Sequence, residues 1–168
     1  MQFRCGLLLL IWSQFLPALA YGGEFPWKAG DPPPQVAGIR LGDGLVRLET
    51  VLGRPSTTEK LGNEALVFTY RQRGVQVIYA SLDGAAIIFL QTRAAGDIGG
   101  VRLGDSREQV LARWGQPASV QGPSAYYRAG SSWVVIVKLD DNDVVKELGL
   151  GRLTENPPKG AKFYRKKD

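Results

Sequence analysis

The stretch "GVRLGDSREQVLARWGQP", residues 100 to 117, decides the fold, because residues 38 to 55, "GIRLGDGLVRLETVLGRP", are nearly the same phrase. With Gly38 set against Gly100, Arg40 meets Arg102, Leu41 meets Leu103, Gly42 meets Gly104 and Asp43 meets Asp105. Further along, Gly53 meets Gly115 and Pro55 meets Pro117. The correspondence continues more loosely through Tyr70-Arg71 with Tyr127-Arg128, and through Leu82-Asp83 with Leu139-Asp140. Self-similarity on this scale marks a duplicated structural unit.

Each phrase reads as a short helix with its punctuation. Asp105 or Ser106 can cap the amino end of the second helix, and both have an acceptor three residues on, at Glu108 and Gln109. Val110, Leu111 and Trp114 form its apolar face, Gly115 supplies a left-handed exit and Pro117 forbids continuation. In the first phrase Asp43 is the expected cap, Leu45, Leu48 and Leu52 the apolar face, and Gly53 and Pro55 the stop. Helices this short do not persist alone in water and must lie on something. After each phrase comes a set of β-branched and aromatic runs: "ALVFTYRQRG", "VQVIYASLDG" and "AAIIFLQTR", then "SAYYRAGS", "SWVVIVKLDDND" and "VVKELGLGRL". Turns are expected at Arg73-Gly74, Asp83-Gly84, near Gly130 and at Asp141-Asn142. Trp133, Val135, Val137 and Leu139 alternate onto one face. The expected fold class is therefore α+β, with two tandem repeats, each a short helix followed by a three-stranded antiparallel meander, packed as one domain. Its divisions are a leader at 1–20, a Pro/Gly-rich arm at 21–37, repeat 1 at 38–99, repeat 2 at 100–152 and a basic tail at 153–168.

The leader "MQFRCGLLLLIWSQFLPALA" has a basic start at Arg4, an apolar run from Gly6 to Trp12, a break at Pro17 and an A-x-A ending at Ala20. This is the pattern of a secretory signal peptide cleaved after Ala20. The apolar run falls short of the about 20 residues a membrane span needs. The expected location is exported, periplasmic or secreted. The one cysteine, Cys5, leaves with the leader, and the chain has no histidine. Thiol nucleophiles, Ser-His-Asp triads and zinc sites of the usual ligands are excluded from the mature chain on that ground. No metal and no cofactor is expected. The formal net charge of +5 is mild, and for an exported chain it points to solubility, an acidic protein surface or an anionic lipid, with no nucleic-acid partner.

The G-[IV]-R-L-G-D lead, short helix, G-x-P stop and β-meander resemble the SmpA/OmlA family of small outer-membrane assembly lipoproteins. The tandem arrangement resembles the β-lactamase-inhibitor-protein (BLIP-like) fold, in which two such units pack with their sheets side by side. The resemblance spans residues 38 to about 152. It implies a protein-binding or envelope-scaffold role carried by a sheet face. The region "PALAYGG" lacks the lipidated cysteine of the assembly lipoproteins, so the chain is expected not to be lipidated, and it lacks the inhibitors' disulfides.

The expected function is accordingly a non-catalytic module that binds another envelope or secreted protein. Tyr126 and Tyr127 are neighbours on a strand and must point to opposite faces; one of them, with Arg128, is placed at the contact, since Tyr and Arg are enriched where interfaces carry their energy. Arg40 and Arg102 occupy equivalent places and are either partner contacts or anchors of their own loops. An alternative is weak peripheral binding to anionic lipid through Lys159, Lys162, Arg165, Lys166 and Lys167. A further alternative is a carboxylate-dependent cell-wall hydrolase drawing on Glu49, Glu59, Glu64, Asp97 or Glu108, none of which a local motif singles out. Asp140, Asp141 and Asp143 crowd one hairpin turn. They lack the spacing of a calcium loop and read as turn residues. Phe25 and Trp27, in the arm, are positioned to dock on the domain or on another protein.

Overall fold

The structure, a computed structural model, describes residues 23–128 and 132–153. It overturns the expected fold class. Eight antiparallel strands form one continuous sheet in the order β1-β2-β3-β4-β8-β7-β6-β5, and among the described residues the helical content is two helices of eight residues, α1 (Leu45–Leu52) and α2 (Arg107–Trp114), with two short 3-10 turns. The fold is mostly β. Four strands follow each helix in place of three: β1 (Thr57–Leu61), β2 (Ala65–Tyr70), β3 (Val75–Ala80) and β4 (Gly84–Leu90), then β5 (Ser119–Gln121), β6 (Ser124–Arg128), β7 (Trp133–Leu139) and β8 (Val145–Arg152). The strands missing from the expectation are the two outermost. β1 reads "TTEKL" and is largely exposed along its length; β5 reads "SVQ" between Pro117 and Gly122-Pro123. Edge strands with little side-chain burial carry no apolar alternation, so their pairing is invisible to a periodicity argument. The expected turn near Gly130 and the tail from 154 onward lie outside the described residues, as does the leader.

The two halves are joined through β4 and β8, with Ile87 opposite Gly151, Ile88 opposite Leu150, Phe89 opposite Gly149 and Leu90 opposite Leu148. The pleat of β8 explains how this seam closes. Leu148 and Leu150 point inward and are fully buried, while Gly149 and Gly151, alternating with them, face outward. A Cβ on Gly149 would lie 2.6 Å from the Phe89 ring. The missing side chain lets that ring lie flat across the strand. Phe89, Tyr126, Val134 and Ile136 form a small cluster on this outer face.

The inner face carries the main core. Leu48 and Leu52 of α1 and Val110 and Trp114 of α2 pack on Val75, Val77, Ile88, Leu90, Val135, Val137, Leu148 and Leu150. The expected burial of Leu48, Leu52, Val110 and Trp114 is met; Leu111 is half-buried and Leu45 is 49% exposed. The repeated phrase has a definite job here. Gly42 N–H donates to the Ala85 carbonyl and Ala85 N–H to that of Asp43, both at 2.9 Å; Gly104 and Val145, then Val145 and Asp105, do the same at 2.8 Å. Each phrase thus ties the entry of its helix to the start of the last strand of its half. Within each turn the aspartate carboxylate accepts the backbone N–H of the arginine three residues before it, Arg40 to Asp43 at 2.8 Å and Arg102 to Asp105 at 2.9 Å.

That geometry corrects the expected cap of α1. Asp43 is occupied with its own turn, and the N-cap is Gly44, which offers no side chain. In α2 the cap is Ser106, with a complete capping box to Gln109. The helix exits at Gly53 and Gly115 have positive φ (83° and 69°) with extended ψ, so the exit is not left-handed helical. That region is open essentially to glycine alone.

Candidate functional site

The expected contact residues are separated by the pleat. Tyr127 points inward, is 2% exposed, and donates its hydroxyl to the Gly115 carbonyl at 3.2 Å. Burial pushes its phenol up to about 12. Tyr126 points outward into the cluster with Phe89, Val134 and Ile136; burial, partly offset by Ser124, raises its phenol as well. Arg128 is exposed at the end of β6. The structure therefore does not assemble the three on one open face. Arg102 is held by Asp97 at 3.6 Å, which fits a loop anchor. Arg40 is exposed, and no ion pair of its guanidinium occurs among the described residues. Lys159, Lys162, Arg165, Lys166 and Lys167 lie outside the described residues.

The arm docks on its own domain. Phe25 meets Trp114 edge-on at 5.5 Å and stacks on Tyr127 at 5.4 Å, and Trp27 meets Trp133 edge-on at 5.5 Å. The indole N–H of Trp133 donates to the Asp31 carbonyl at 3.0 Å. The Pro/Gly-rich arm thus completes the core beneath α2, and the polar edges of Trp114, Tyr127 and Trp133 each have a backbone partner.

Beside that aromatic knot lies a cavity of ≈ 280 Å³ between α2 and the β5–β6 hairpin. Val110 and Leu111 form one wall, Ala125, Tyr127, Val137 and Leu139 the floor, and Pro117, Val120 and Pro123 the rim, with Arg107, Gln116 and Ser124 as the polar members. It exists because α2 stops at Trp114 while β5 contributes only three residues, so the sheet runs out before it can meet the helix. Ala125 is too small to fill the space. Val120, on the edge strand, is 63% exposed. Arg107 is not free: it pairs with Asp143 at 2.9 Å. The lining contains no carboxylate.

Three of the five carboxylates weighed for catalysis are engaged, while Glu59 and Glu64 are exposed on and beside the edge strand β1. Glu49 pairs with Arg54 at 3.5 Å, and Asp97 accepts from Gly100 N–H at 2.8 Å. Hydrogen bonds from the Ser106 hydroxyl and from its own backbone hold Glu108 below its ordinary value, the opposite of what a general acid needs. Asp140 accepts the N–H groups of Asn142 and Val144 at 2.9 and 3.0 Å, and those bonds lower its carboxyl. It shapes the turn. Among the described residues no group of three or more His, Cys, Asp and Glu side chains is placed to hold a metal ion.

Sequence reasoning missed the cavity, because it arises from the shortness of a strand that leaves no periodic trace. It also missed three exposed apolar residues of the first half, Leu45, Val46 and Leu82. A signal for the last was present: a leucine inside the turn "SLDG", where polar residues are usual.

No protein-family model and no curated protein matches the sequence. Among solved structures, a cysteine-rich secretory protein from Staphylococcus aureus aligns with a TM-score of 0.55 at 10% identity, over 77% of this chain and 49% of that one. A DUF4309 family protein from Bacillus subtilis aligns with a TM-score of 0.51 at 16% identity, over 79% of this chain and 90% of that one. The chain spans about half the length of the staphylococcal protein it matches. At these identities the likeness is one of fold. No described helix is long and apolar enough to cross a membrane.

Proposed function

We propose that the protein is an exported, non-catalytic protein-binding or envelope-scaffold module, and that it holds an extended apolar segment of another exported protein in the cavity between α2 and the β5–β6 hairpin. The observation that carries this is the cavity: mostly apolar on floor and walls, with Arg107, Gln116 and Ser124 as polar lining residues, and an edge strand beside it. An incoming strand can add to β5 through main-chain hydrogen bonds and send alternate side chains into the space, which is how sheet edges take peptides. Export draws on the leader and on the likeness to a protein described as secretory. The scaffold role is the one implied by the resemblance to the assembly lipoproteins. The Tyr126–Tyr127–Arg128 strand contributes its inward member, Tyr127, to the cavity floor. The hydrolase alternative gains no support from the cavity, whose described lining lacks carboxylates, and the lipid alternative rests on the basic tail, outside the described residues.

Selection from a library of extended peptides on the immobilised protein tests this. Binders enriched in aliphatic residues at alternate positions are expected, and Ala125→Phe, which fills the floor, should remove binding while leaving thermal unfolding within a few degrees. Enrichment of no peptide class, or binding indifferent to Ala125→Phe and to Val120→Asp, would sink the reading.

A further inference from the structure

Three of the four large apolar side chains exposed among the described residues belong to one corner of the first half: Leu82 at 98%, Val46 at 82% and Leu45 at 49%. The phrase that starts α1 brings them together. Gly42 and Asp43 are hydrogen-bonded to Ala85, and a Cβ on Gly84 would lie 2.5 Å from the Gly42 carbonyl oxygen. The β3–β4 turn bearing Leu82 therefore abuts the first turn of α1 bearing Leu45 and Val46. The corresponding corner of the second half is charged. Set against Gly38 and Gly100, Leu45 and Val46 correspond to Arg107 and Glu108, and the β7–β8 turn is Asp140-Asp141-Asn142-Asp143. One architecture thus carries a polar corner in one half and three protruding apolar side chains in the other. In the second half the charged residues tie the corner together, Arg107 pairing with Asp143 at 2.9 Å.

The charges around the apolar corner say what fits it. Asp43 is tied to the Arg40 backbone, Asp83 pairs with Arg152 at 3.7 Å and Glu49 pairs with Arg54. Arg40 has no ion pair among the described residues, and Arg47 makes only a long 3.4 Å contact to the Gly38 carbonyl. The corner therefore offers three apolar knobs flanked by two available guanidiniums, with three carboxylates interspersed. Asp43, Asp83 and Glu49 interrupt the uniformly basic rim that an anionic bilayer would favour. A protein surface with carboxylates at defined points suits the mixture, because guanidinium–carboxylate pairs are directional.

We propose that the Leu45–Val46–Leu82 corner is a second interaction surface, for a protein presenting a shallow apolar recess bordered by carboxylates, with Leu82 as the anchor and Arg40 and Arg47 as the charge contacts. It is separate from the cavity of the second half. With both occupied, the protein bridges two partners.

The test is photo-crosslinking in the exporting cell, with a benzophenone side chain at position 82 and, as control, at position 108. The expected result is one heterologous adduct specific to position 82. The adducted protein, purified, should bind the parent with an affinity reduced at least tenfold by Leu82→Ser and severalfold by Arg40→Ala. Swapping charge with Arg40→Glu should be rescued by a carboxylate-to-lysine change in the partner. An adduct between two copies of the chain would overturn the proposal. So would the same products at both positions, no adduct at all, or binding to phosphatidylglycerol vesicles that disappears with Leu82→Ser. Ala125→Phe should leave the adduct intact, so failure here and failure of the cavity reading are distinguishable.

Discussion

The two halves of the sheet share a phrase and a topology, but they are secured by different means. In the second half Ser106 and Gln109 close a capping box, and Asp105, nearly buried, is paired with Arg93 at 3.1 Å. Beneath α2 lies an aromatic knot of Phe25, Trp27, Trp114, Tyr127 and Trp133, with the Trp114 indole donating to the Gly99 carbonyl at 3.0 Å. In the first half α1 starts at a glycine without a side-chain cap and buries Leu48 and Leu52. The shared backbone bonds from Gly42 and Gly104 are enough to place a helix on the sheet. Specific side-chain anchoring is an addition, concentrated where the arm docks. The lightly tied half also carries three of the four exposed large apolar residues among those described.

The halves should differ most at the helix anchors. Trp114→Ala should cost about 3–5 kcal/mol, and Leu52→Ala less, about 2–3 kcal/mol, read as shifts of the urea midpoint at constant m. Equal costs would mean that the aromatic knot adds nothing beyond ordinary burial. At the seam between the halves, Gly149→Ala drives a methyl into the Phe89 ring and should cost about 1–3 kcal/mol. Pairing it with Phe89→Leu should recover much of the loss, and additivity of the two changes would contradict the close approach.

A smaller effect in the second half is read by pH. The Tyr127 phenol ionises near pH 12 in the fold and near its ordinary value of 10.0 when unfolded. The folded state therefore holds the proton more tightly, so its contribution to stability is complete below about pH 10 and is lost as pH rises towards 12. Tyr127→Phe should be about 1 kcal/mol less stable at neutral pH, from the lost bond to Gly115, and should show a flatter decline in that alkaline window. Parallel decline of parent and variant would place the phenol outside the core. The smallest changes sit at the caps. Ser106→Ala should cost about 1 kcal/mol, whereas Gly44→Ser, which gives α1 the cap it lacks, should add a few tenths. A loss on Gly44→Ser would show that the glycine is needed for another reason.

The duplicated phrase, both helices, the six inner strands and the alternation of Trp133 to Leu139 were legible, because each leaves a periodic or punctuated trace in sequence. The outer strands were not, since "TTEKL" and "SVQ" bury almost nothing on either face. With them went the closure into one sheet, because pairing β4 with β8 depends on contacts distant in sequence that no local pattern encodes. The site suffered for the same reason. The pleat correctly predicted that Tyr126 and Tyr127 diverge, but not that Phe89, drawn across by Gly149, would enclose the outward one. Asp43 is not the cap of α1 because its side chain has two possible clients, the helix end and its own turn, and the tighter local turn wins.

The order β1-β2-β3-β4-β8-β7-β6-β5 has a consequence in time. The first half can complete its four strands as soon as they are available, but β4 then ends as an open edge carrying Ile87, Ile88, Phe89 and Leu90. The strand that covers it is the last one described, and β5, β6 and β7 must come before it. A chain delivered amino end first therefore passes through a stage in which an apolar edge waits for a distant partner. Such edges are templates for pairing with other chains. Closure by a sequence-distant pairing is also slow relative to local hairpins. The seam that makes the molecule one sheet is thus where its assembly is most exposed to error, and where a chaperone would have the most to protect.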